Sequence, residues 1–565
     1  MDERPWLASY PPGVPAEVDA SIYPSLVALF AESFAKNHDL PAYECMGRQL
    51  TFGDIERTSR DLGAFLQSLG LARGDRVAVM MPNVLQYPVV VSAILRAGFI
   101  AVNVNPLYTP RELEHQLSDS GAKAIFILEN FAATLQQALE KTQIRHIVIA
   151  SMGDMLGFAK GAIVNFVVRR KMVPAYALPG ALRFNAVLAS GAGKTLDEPE
   201  LKPADPAVLQ YTGGTTGVSK GATLTHGALI AAVLASEAWL QPALAAKQAT
   251  TQLVAVCALP LYHVFAFVSC SLLAMRAGAL CLLIPNPRDI PGFVKELRGR
   301  KFHLLPAVNT LFNGLLGNED FAKLDFSELM VSNGGGMAVQ EAVARKWKDV
   351  TGIPIVEGYG LSETSSGVVC NPVTLDAFNG TVGLPMPSVE IRILADNGAV
   401  LSPGAAGEVA IRGPQVMANY WNRPDETANV MTSDGFFKSG DIGVLDEKGF
   451  LRIVDRKKDM INVSGFNVYP NEIEAVVAEH PGVLECAAVG VPDPRSGEAV
   501  MLFVVPRDPK LTKEELAAFY KQQLTGYKTP KHVEFRKTLP KTNVGKILRR
   551  ELRDEIVGAA PKAGV

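Results

Sequence analysis

The stretch Tyr211-Thr212-Gly213-Gly214-Thr215-Thr216-Gly217-Val218-Ser219-Lys220-Gly221 carries the densest chemistry in this sequence. Its glycines let the backbone approach an anion closely, and successive N–H groups can form an anion-binding nest. The threonines add hydroxyl donors and Lys220 adds positive charge. Such a loop can hold a triphosphate while pyrophosphate is displaced. It is not a Walker A loop, because Gly217 is followed by Val218 rather than by Lys-Ser/Thr. On composition alone, a Gly/Thr turn with no ligand fits equally well.

Elements able to position such a loop are legible around it. Short apolar runs at 77–81, 100–104, 123–128 and 146–150 predict buried strands with helices between several of them. Thr109-Pro110-Arg111-Glu112 predicts a capped helix start. Alternating strand and helix predicts an α/β fold with largely parallel sheets. The longest apolar run, 253–275, is interrupted by Pro260, Tyr262 and His263, which favours a buried strand, a functional loop and a buried helix over a membrane span. A charge cluster at Asp455-Arg456-Lys457-Lys458-Asp459 precedes a second pattern: a helix with Ile473, Val476 and Val477 on one face, strands at 484–491 and 500–505, and a helix opened by Thr512. This predicts a small α+β domain over 456–565, after a large domain over 1–455, with the charge cluster as hinge.

Composition narrows the function class. At 565 residues the chain exceeds one ordinary core. A net charge of −2 argues against a general nucleic-acid binder. Cys45, Cys257, Cys270, Cys281, Cys370 and Cys486 lie far apart with no close pair, which favours scattered thiols of a reduced cytoplasm. The first residues lack the basic start and apolar core of a secretory signal.

The loop at 211–221 resembles the signature of the adenylate-forming superfamily, which includes acyl-CoA synthetases, luciferases and the adenylation domains of peptide synthetases. Further motifs follow in the family's order along nearly the whole chain. The resemblance implies a large N-terminal domain of parallel α/β sheets with a β-rich subdomain, followed by a small mobile α+β domain. It implies ATP, Mg²⁺ and coenzyme A as cofactors, and places Tyr211, Thr212, Gly213, Gly214, Thr215, Thr216, Gly217 and Lys220 around the nucleotide. Gly358-Tyr359-Gly360-Leu361-Ser362-Glu363-Thr364 resembles a second core motif. It implies Tyr359 beside the adenine, with Gly358 and Gly360 around it. Thr364 would reach the α-phosphate or the substrate carboxylate, and Glu363, with Thr215, would help hold the metal. Taken alone, Glu363 reads as an ordinary surface acid. Gly334, Gly335 and Gly336 match a segment lining the adenine pocket. Asp441 would accept the ribose hydroxyls, a task suited to an acceptor-only group, assisted by Arg456.

Pro540-Lys541-Thr542-Asn543-Val544-Gly545-Lys546 resembles the segment that delivers a catalytic lysine. Lys546 would steady charge at the α-phosphate as pyrophosphate departs. The family separates adenylation from thioester formation by rotating its small domain. By alignment Lys458 is the pivot and Gly465 lines the pantetheine tunnel. His263 matches a turn beside the acyl carboxylate.

The resemblance is closest to bacterial long-chain fatty-acid:CoA ligases, on 455–474 and 524–555. Phe267 falls where such enzymes can carry an aromatic gate, and reads equally as a core phenylalanine. Substrates would be a fatty acid, ATP and CoA, with no nucleic acid. A homodimer is left open by the family. Residues 155–171 join an apolar stretch to a basic end, which fits an anionic membrane surface or a core helix with a solvated end. The expected location is the cytoplasm, with peripheral contact on the inner face of the cytoplasmic membrane left open. Residues 510–553 hold 12 Lys/Arg against 4 Asp/Glu, a patch suited to CoA phosphates or to plain solvation. The competing readings are a CoA ligase for medium-chain or aryl acids, and a non-catalytic acyl- or nucleotide-binding protein that kept the fold.

Overall fold

In a computed structural model, residues 4–212, 219–247, 252–464, 466–542 and 545–559 are described. The predicted strands of the first half pair side by side. Leu182–Arg183, His146–Ala150, Ala124–Leu128, Arg76–Met80, Ile100–Asn103 and Pro206–Thr212 run parallel, and the sheet is completed by the antiparallel strands Lys220–Thr225 and Asn419–Tyr420. Near-continuous apolar strands suit a parallel sheet buried on both faces. The helix Pro110–Ser120 begins as predicted. Thr109 Oγ1 accepts the Glu112 N–H, and the Glu112 carboxylate accepts the Thr109 N–H.

A second sheet of nine strands contains the parallel run Ile355–Leu361, Val331–Gly334, Leu304–Ala307, Val254–Cys257, Leu280–Leu283 and Pro41–Cys45. A four-stranded antiparallel sheet follows: Glu390–Leu394, Ala406–Arg412, Phe437–Leu445 and Leu451–Arg456. This is the β-rich part expected of the family. One continuous apolar core joins all three sheets. The last sheet, built on Val483–Asp493 and Gly497–Pro506, packs around separate cores of its own.

The long apolar run resolves as the strand Val254–Cys257, a turn, and a buried helical stretch ending at Ala277, as the sequence suggests. Its middle, Phe267–Leu272, is π-helical, which periodicity did not reveal. His226–Ala246 is also long and apolar enough to cross a membrane, but it is largely buried in the core. All six cysteines are buried free thiols. Residues 158–172 form a helix in which only Gly161 is buried, so the core-helix alternative for this segment falls. The reason is local. Gly153 and Gly161 approach so closely that a Cβ on either would lie 2.4 Å from the other's carbonyl oxygen. The helix therefore rests on a narrow glycine contact, with its other faces outside.

The turn that carries His263 hangs from the neighbouring sheet. Asn83, buried, donates its amide to the carbonyls of Cys257 (3.0 Å) and Leu259 (2.8 Å) and accepts the Leu261 N–H (2.8 Å). Gln210, beside the phosphate-loop hairpin, donates to Tyr262 O at 3.0 Å. Asn83→Ala strands buried polar groups of this turn, each worth about 1–3 kcal/mol. The expected result is a loss of about 3 kcal/mol, read as a lower urea midpoint with unchanged slope.

Candidate active site

Parallel sheets expose ligand sites at the carboxyl ends of their strands. Val331–Gly334 ends in three glycines there, each required for a different reason. A Cβ on Gly334 would lie 2.8 Å from Ile355 Cγ2 and Val339 Cγ2, and one on Gly335 would lie 3.0 Å from the Phe265 ring. Gly336 has φ +76°, in the left-handed region. The adjacent strand Ile355–Leu361 folds back as a tight hairpin. A Cβ on Gly360 would lie 1.8 Å from Ser366 O. The turn also holds Ser365 at φ 52° and Ser366 at φ 93°, a strained conformation for residues with side chains.

Thr364 is fully buried inside this turn. Its hydroxyl accepts the Leu361 N–H at 2.9 Å and faces the carbonyls of Ser366 (2.9 Å) and Leu361 (3.1 Å). In this arrangement the hydroxyl is engaged by the backbone of its own turn. Its neighbour Glu363 is also buried. Burial pushes the carboxyl above its usual range, while the Tyr420 hydroxyl donates to it at 2.7 Å and pulls the other way.

Tyr420 is a residue the sequence did not reveal. Besides meeting Glu363, its ring lies 5.0 Å from the Lys220 ammonium. Lys220 is also paired with Glu426. On the other strand of the hairpin, Tyr211 donates to Asp119 at 2.7 Å, and Arg423 binds the same carboxylate at 3.0 Å. Residues 420–426 thus grip both flanks of the loop. Gly213, Gly214, Thr215, Thr216 and Gly217 lie outside the described residues, as does Gly465. No signature spacing marks Tyr420, Arg423 or Asp119, because they act through side chains brought together from three separate elements.

The antiparallel sheet supplies the opposite wall. Asp441 and Arg456 are cross-strand partners, with Nε and Oδ1 3.3 Å apart. Tyr359 donates its hydroxyl to Asp441 Oδ2 at 2.7 Å. Lys546 arrives from the last sheet's domain on a turn closed by Thr542 N–H to Lys546 O (2.7 Å) and Lys546 N–H to Thr542 Oγ1 (3.1 Å). Gly545, at φ +82°, presses against the large domain so closely that a Cβ would lie 2.5 Å from Thr310 Oγ1.

The electrostatics of this corner are lopsided. Burial, reinforced by the Arg456 and Arg549 charges and opposed by Asp441 and Asp459, lowers the Lys546 pKa to about 7. His263 is pushed down to about 4, first by burial and then by the Lys546 charge, so it is neutral at pH 7. Lys458 is lowered to about 8 by surrounding protein and by Arg456. Arg456 is paired with Asp441, and Arg549 with Glu474, Asp455 and Asp459, whereas among the described residues no carboxylate pairs with Lys546 or Lys458, so an anionic ligand would meet those two ammonium groups. Phe267, four residues beyond His263, is fully buried at the start of the π-helical stretch. The structure therefore gathers Lys546, His263, Asp441, Arg456 and Tyr359, with Glu363 alongside.

Known proteins share this plan. Residues 30–421 match the AMP-binding enzyme family and residues 472–546 match the AMP-binding enzyme C-terminal domain. A long-chain-fatty-acid–CoA ligase from Escherichia coli O157:H7 is 55% identical over 559 residues, spanning 98% of this chain and 99% of that protein. A ligase of the same name from Bacillus subtilis (strain 168) is 37% identical, spanning 98% of each. Among solved structures, the anthranilate CoA ligase AuaEII in complex with anthranoyl-AMP superimposes with a TM-score of 0.84 at 23% identity, covering 96% of this chain and 100% of that one. At that identity the likeness speaks for fold alone.

Competitive acetylation over a pH series tests the electrostatics. Lys546 should label with a midpoint near 7. Adding ATP should raise that midpoint, since nearby negative charge favours the ammonium form. A midpoint near 10, unmoved by ATP, would contradict the reading.

Proposed function

The chain belongs to the AMP-binding enzyme family, and on that footing we propose that it is an ATP-dependent long-chain fatty acid:CoA ligase. The observation that carries the reading is the meeting of Lys546, Asp441, Arg456 and His263 from two domains at one cation-rich corner. Near full-length identity to long-chain-fatty-acid–CoA ligases supplies the substrate class.

Two reactions share the site. In the first, a carboxylate oxygen of the fatty acid attacks the α-phosphorus of ATP, and the bond to the β-phosphate oxygen breaks, releasing pyrophosphate. In the second, the CoA sulfur attacks the acyl carbonyl and gives up its proton, and the bond to AMP breaks.

Lys546 is the catalytic cation of the first step, placed where negative charge shifts as pyrophosphate leaves. Its pKa is lowered first by burial and then by the Arg456 and Arg549 charges; phosphates bound beside it would favour the ammonium. Asp441 takes the ribose hydroxyls with Arg456 beside it, and Tyr359 and Gly334–Gly336 flank the base. Neutral His263 orients the acyl carboxylate without adding charge. Thr364 acts through the turn that presents Glu363, given where its hydroxyl is spent.

The residues fit Mg²⁺ arriving with the nucleotide. Among the described residues no cluster of three or more His, Cys, Asp or Glu can hold a metal unaided. Glu363 is a buried carboxylate with one oxygen occupied by Tyr420, and Mg²⁺ is commonly held by one or two carboxylates plus substrate phosphates. When bound, with Thr215 as the second protein ligand, the ion neutralises phosphate charge.

The chain divides at Lys458, the pivot, just past the expected 455/456 boundary, since Arg456 ends the strand Leu451–Arg456 of the large domain. Residue 457 is fixed to the large domain, through its N–H to Gly440 O (3.0 Å) and its amine to Asp396 (2.9 Å) and Glu408 (3.2 Å). Rotation there withdraws Lys546 and brings Gly465 to the pantetheine arm. Phe267 gates the acyl chain; its π-helical setting supports this, since such segments are frequent at functional sites.

The helix Phe158–Met172 is the membrane-facing surface. Phe158, Ile163, Phe166, Val167 and Met172 are exposed, with Phe158 at 97%, and Arg170 and Lys171 stand among them. These exposed apolar side chains are spread around the helix rather than sorted onto one face, and with the basic residues among them they suit contact with an anionic bilayer, the reservoir of long-chain acids.

Fatty-acid-dependent pyrophosphate exchange and thioester formation, measured against saturated acids of graded length, test the assignment. Lys546→Ala should cut exchange by about 10²–10³ while sparing acyl transfer from ready-made acyl-adenylate. Gly465→Leu should spare exchange and block thioester formation. Activity on aryl acids alone, or full exchange in Lys546→Ala, would overturn it. Phe166→Glu should weaken sedimentation with anionic vesicles and leave exchange on short, soluble acids intact.

A further inference from the structure

Asp455 is fully buried, yet it is an acid on the hinge, one residue before Arg456. Its carboxylate meets three donors. Oδ1 accepts the Arg456 N–H (2.7 Å) and Arg549 Nη1 (3.1 Å), and Oδ2 accepts the Asn471 N–H (2.8 Å). Asn471 also donates its side-chain amide to Val454 O at 3.1 Å. Two of the three donors on Asp455 therefore come from beyond Lys458.

Arg549 is itself held firmly within the small domain. Nε and Nη2 grip the two oxygens of Glu474 at 2.9 and 2.6 Å, a bidentate fork. Glu474 also accepts the Ala488 N–H at 2.8 Å, and the Asn471 side chain meets Arg549 Nη2. What remains of the guanidinium, Nη1, faces Asp455 and, at 3.7 Å, Asp459. Arg549 stands three residues after Lys546 in the sequence, so its position sets where the lysine's turn ends.

We infer that Asp455 is a positioning residue, a latch that holds the small domain in the adenylating arrangement through Arg549 and Asn471. The inference rests on the reading above of Lys546 as the adenylation lysine and Lys458 as the pivot. Rotation about Lys458 leaves Asp455 on the strand Leu451–Arg456 while Asn471 and Arg549 move away. The hydrogen bonds to them therefore exist in one of the two arrangements only. A buried carboxylate stripped of two charge-assisted partners is costly, so these bonds weight the equilibrium toward Lys546 engaged. Binding and release of substrates must then work against that weight. Asp459 differs: it follows the pivot, and its contacts with Arg549 and Arg553 travel with the small domain.

Asp455→Asn tests this, since it keeps the shape and removes the charge. Pyrophosphate exchange should fall about tenfold or more, a population shift of ordinary size for a coupled equilibrium. Acyl transfer from ready-made palmitoyl-adenylate to CoA should stay within about twofold or rise. In the substrate-free variant, peptides spanning 305–312 and 540–548, which meet at Gly545, should exchange amide hydrogens faster than in the unaltered chain. Asn471→Ala, which removes the bond to Val454 and the side-chain contact with Arg549 but no buried charge, should move all three readouts the same way to a smaller degree. Asp459→Asn should lower both half-reactions together. Equal losses of exchange and transfer in Asp455→Asn, or unchanged hydrogen exchange at those peptides, would overturn the latch. If the unaltered chain gave no pyrophosphate exchange at all, the ligase reading would fail instead, and the hydrogen-exchange comparison would still decide the latch.

Discussion

The Asp441 carboxylate is the point on which the site depends. It accepts the Tyr359 hydroxyl, pairs with Arg456 across two strands, and opposes the cationic field that Arg456 and Arg549 impose on Lys546. Arg549 is met by Glu474, Asp455 and Asp459, and Arg456 by Asp441, but Lys546 and Lys458 have no carboxylate paired with them among the described residues. This leaves a demand for negative charge at the junction of the domains, which the proposed nucleotide and acid substrates would meet. Low local dielectric makes each such interaction stronger than it would be in water.

The architecture around this corner follows from the same demand. Loose tethers would not hold several like charges together, so each charged group is pinned by a rigid neighbour. Tyr359 sits on a strand whose glycines permit a hairpin closer than any Cβ would allow. His263 rides a turn suspended from the first sheet by Asn83 and Gln210. Glu363 is pinned by Tyr420, which also stacks near Lys220. Only Lys546 comes from a separate core, and it is held by a glycine contact and by the cluster around Arg549. On the proposed reading this cation acts in one reaction and stays away in the next, a task better suited to a separate body than to a flexible side chain.

Much of this was legible in the sequence because it is local. Strands such as His146–Ala150 follow from unbroken apolar runs, and the helix at Pro110 follows from Thr109 and Glu112 three positions apart. Lys546, Asp441 and Glu363 can be singled out in the sequence because motifs carry them in contiguous runs of residues. What escaped was non-local. Tyr420, Asp119 and Arg423 meet from distant elements, and no periodicity encodes that. The π-helical turn at Phe267 departs from the 3.6-residue period on which helix reading relies. The exposure of the helix Phe158–Met172 is not legible in the sequence, because apolar residues look the same whether or not a core covers them. At Thr364 the motif names the residue, while the strained turn sets the backbone partners of its hydroxyl, which no motif encodes.

One site runs two reactions in a fixed order, adenylate first and thioester second. A rapid-quench single turnover with palmitate, ATP and excess enzyme measures this directly. Palmitoyl-adenylate and pyrophosphate should appear together, accumulate while CoA is withheld, and convert to palmitoyl-CoA and AMP when it is added. Thioester formed with no adenylate before it, or with ADP and phosphate as products, would rule this order out.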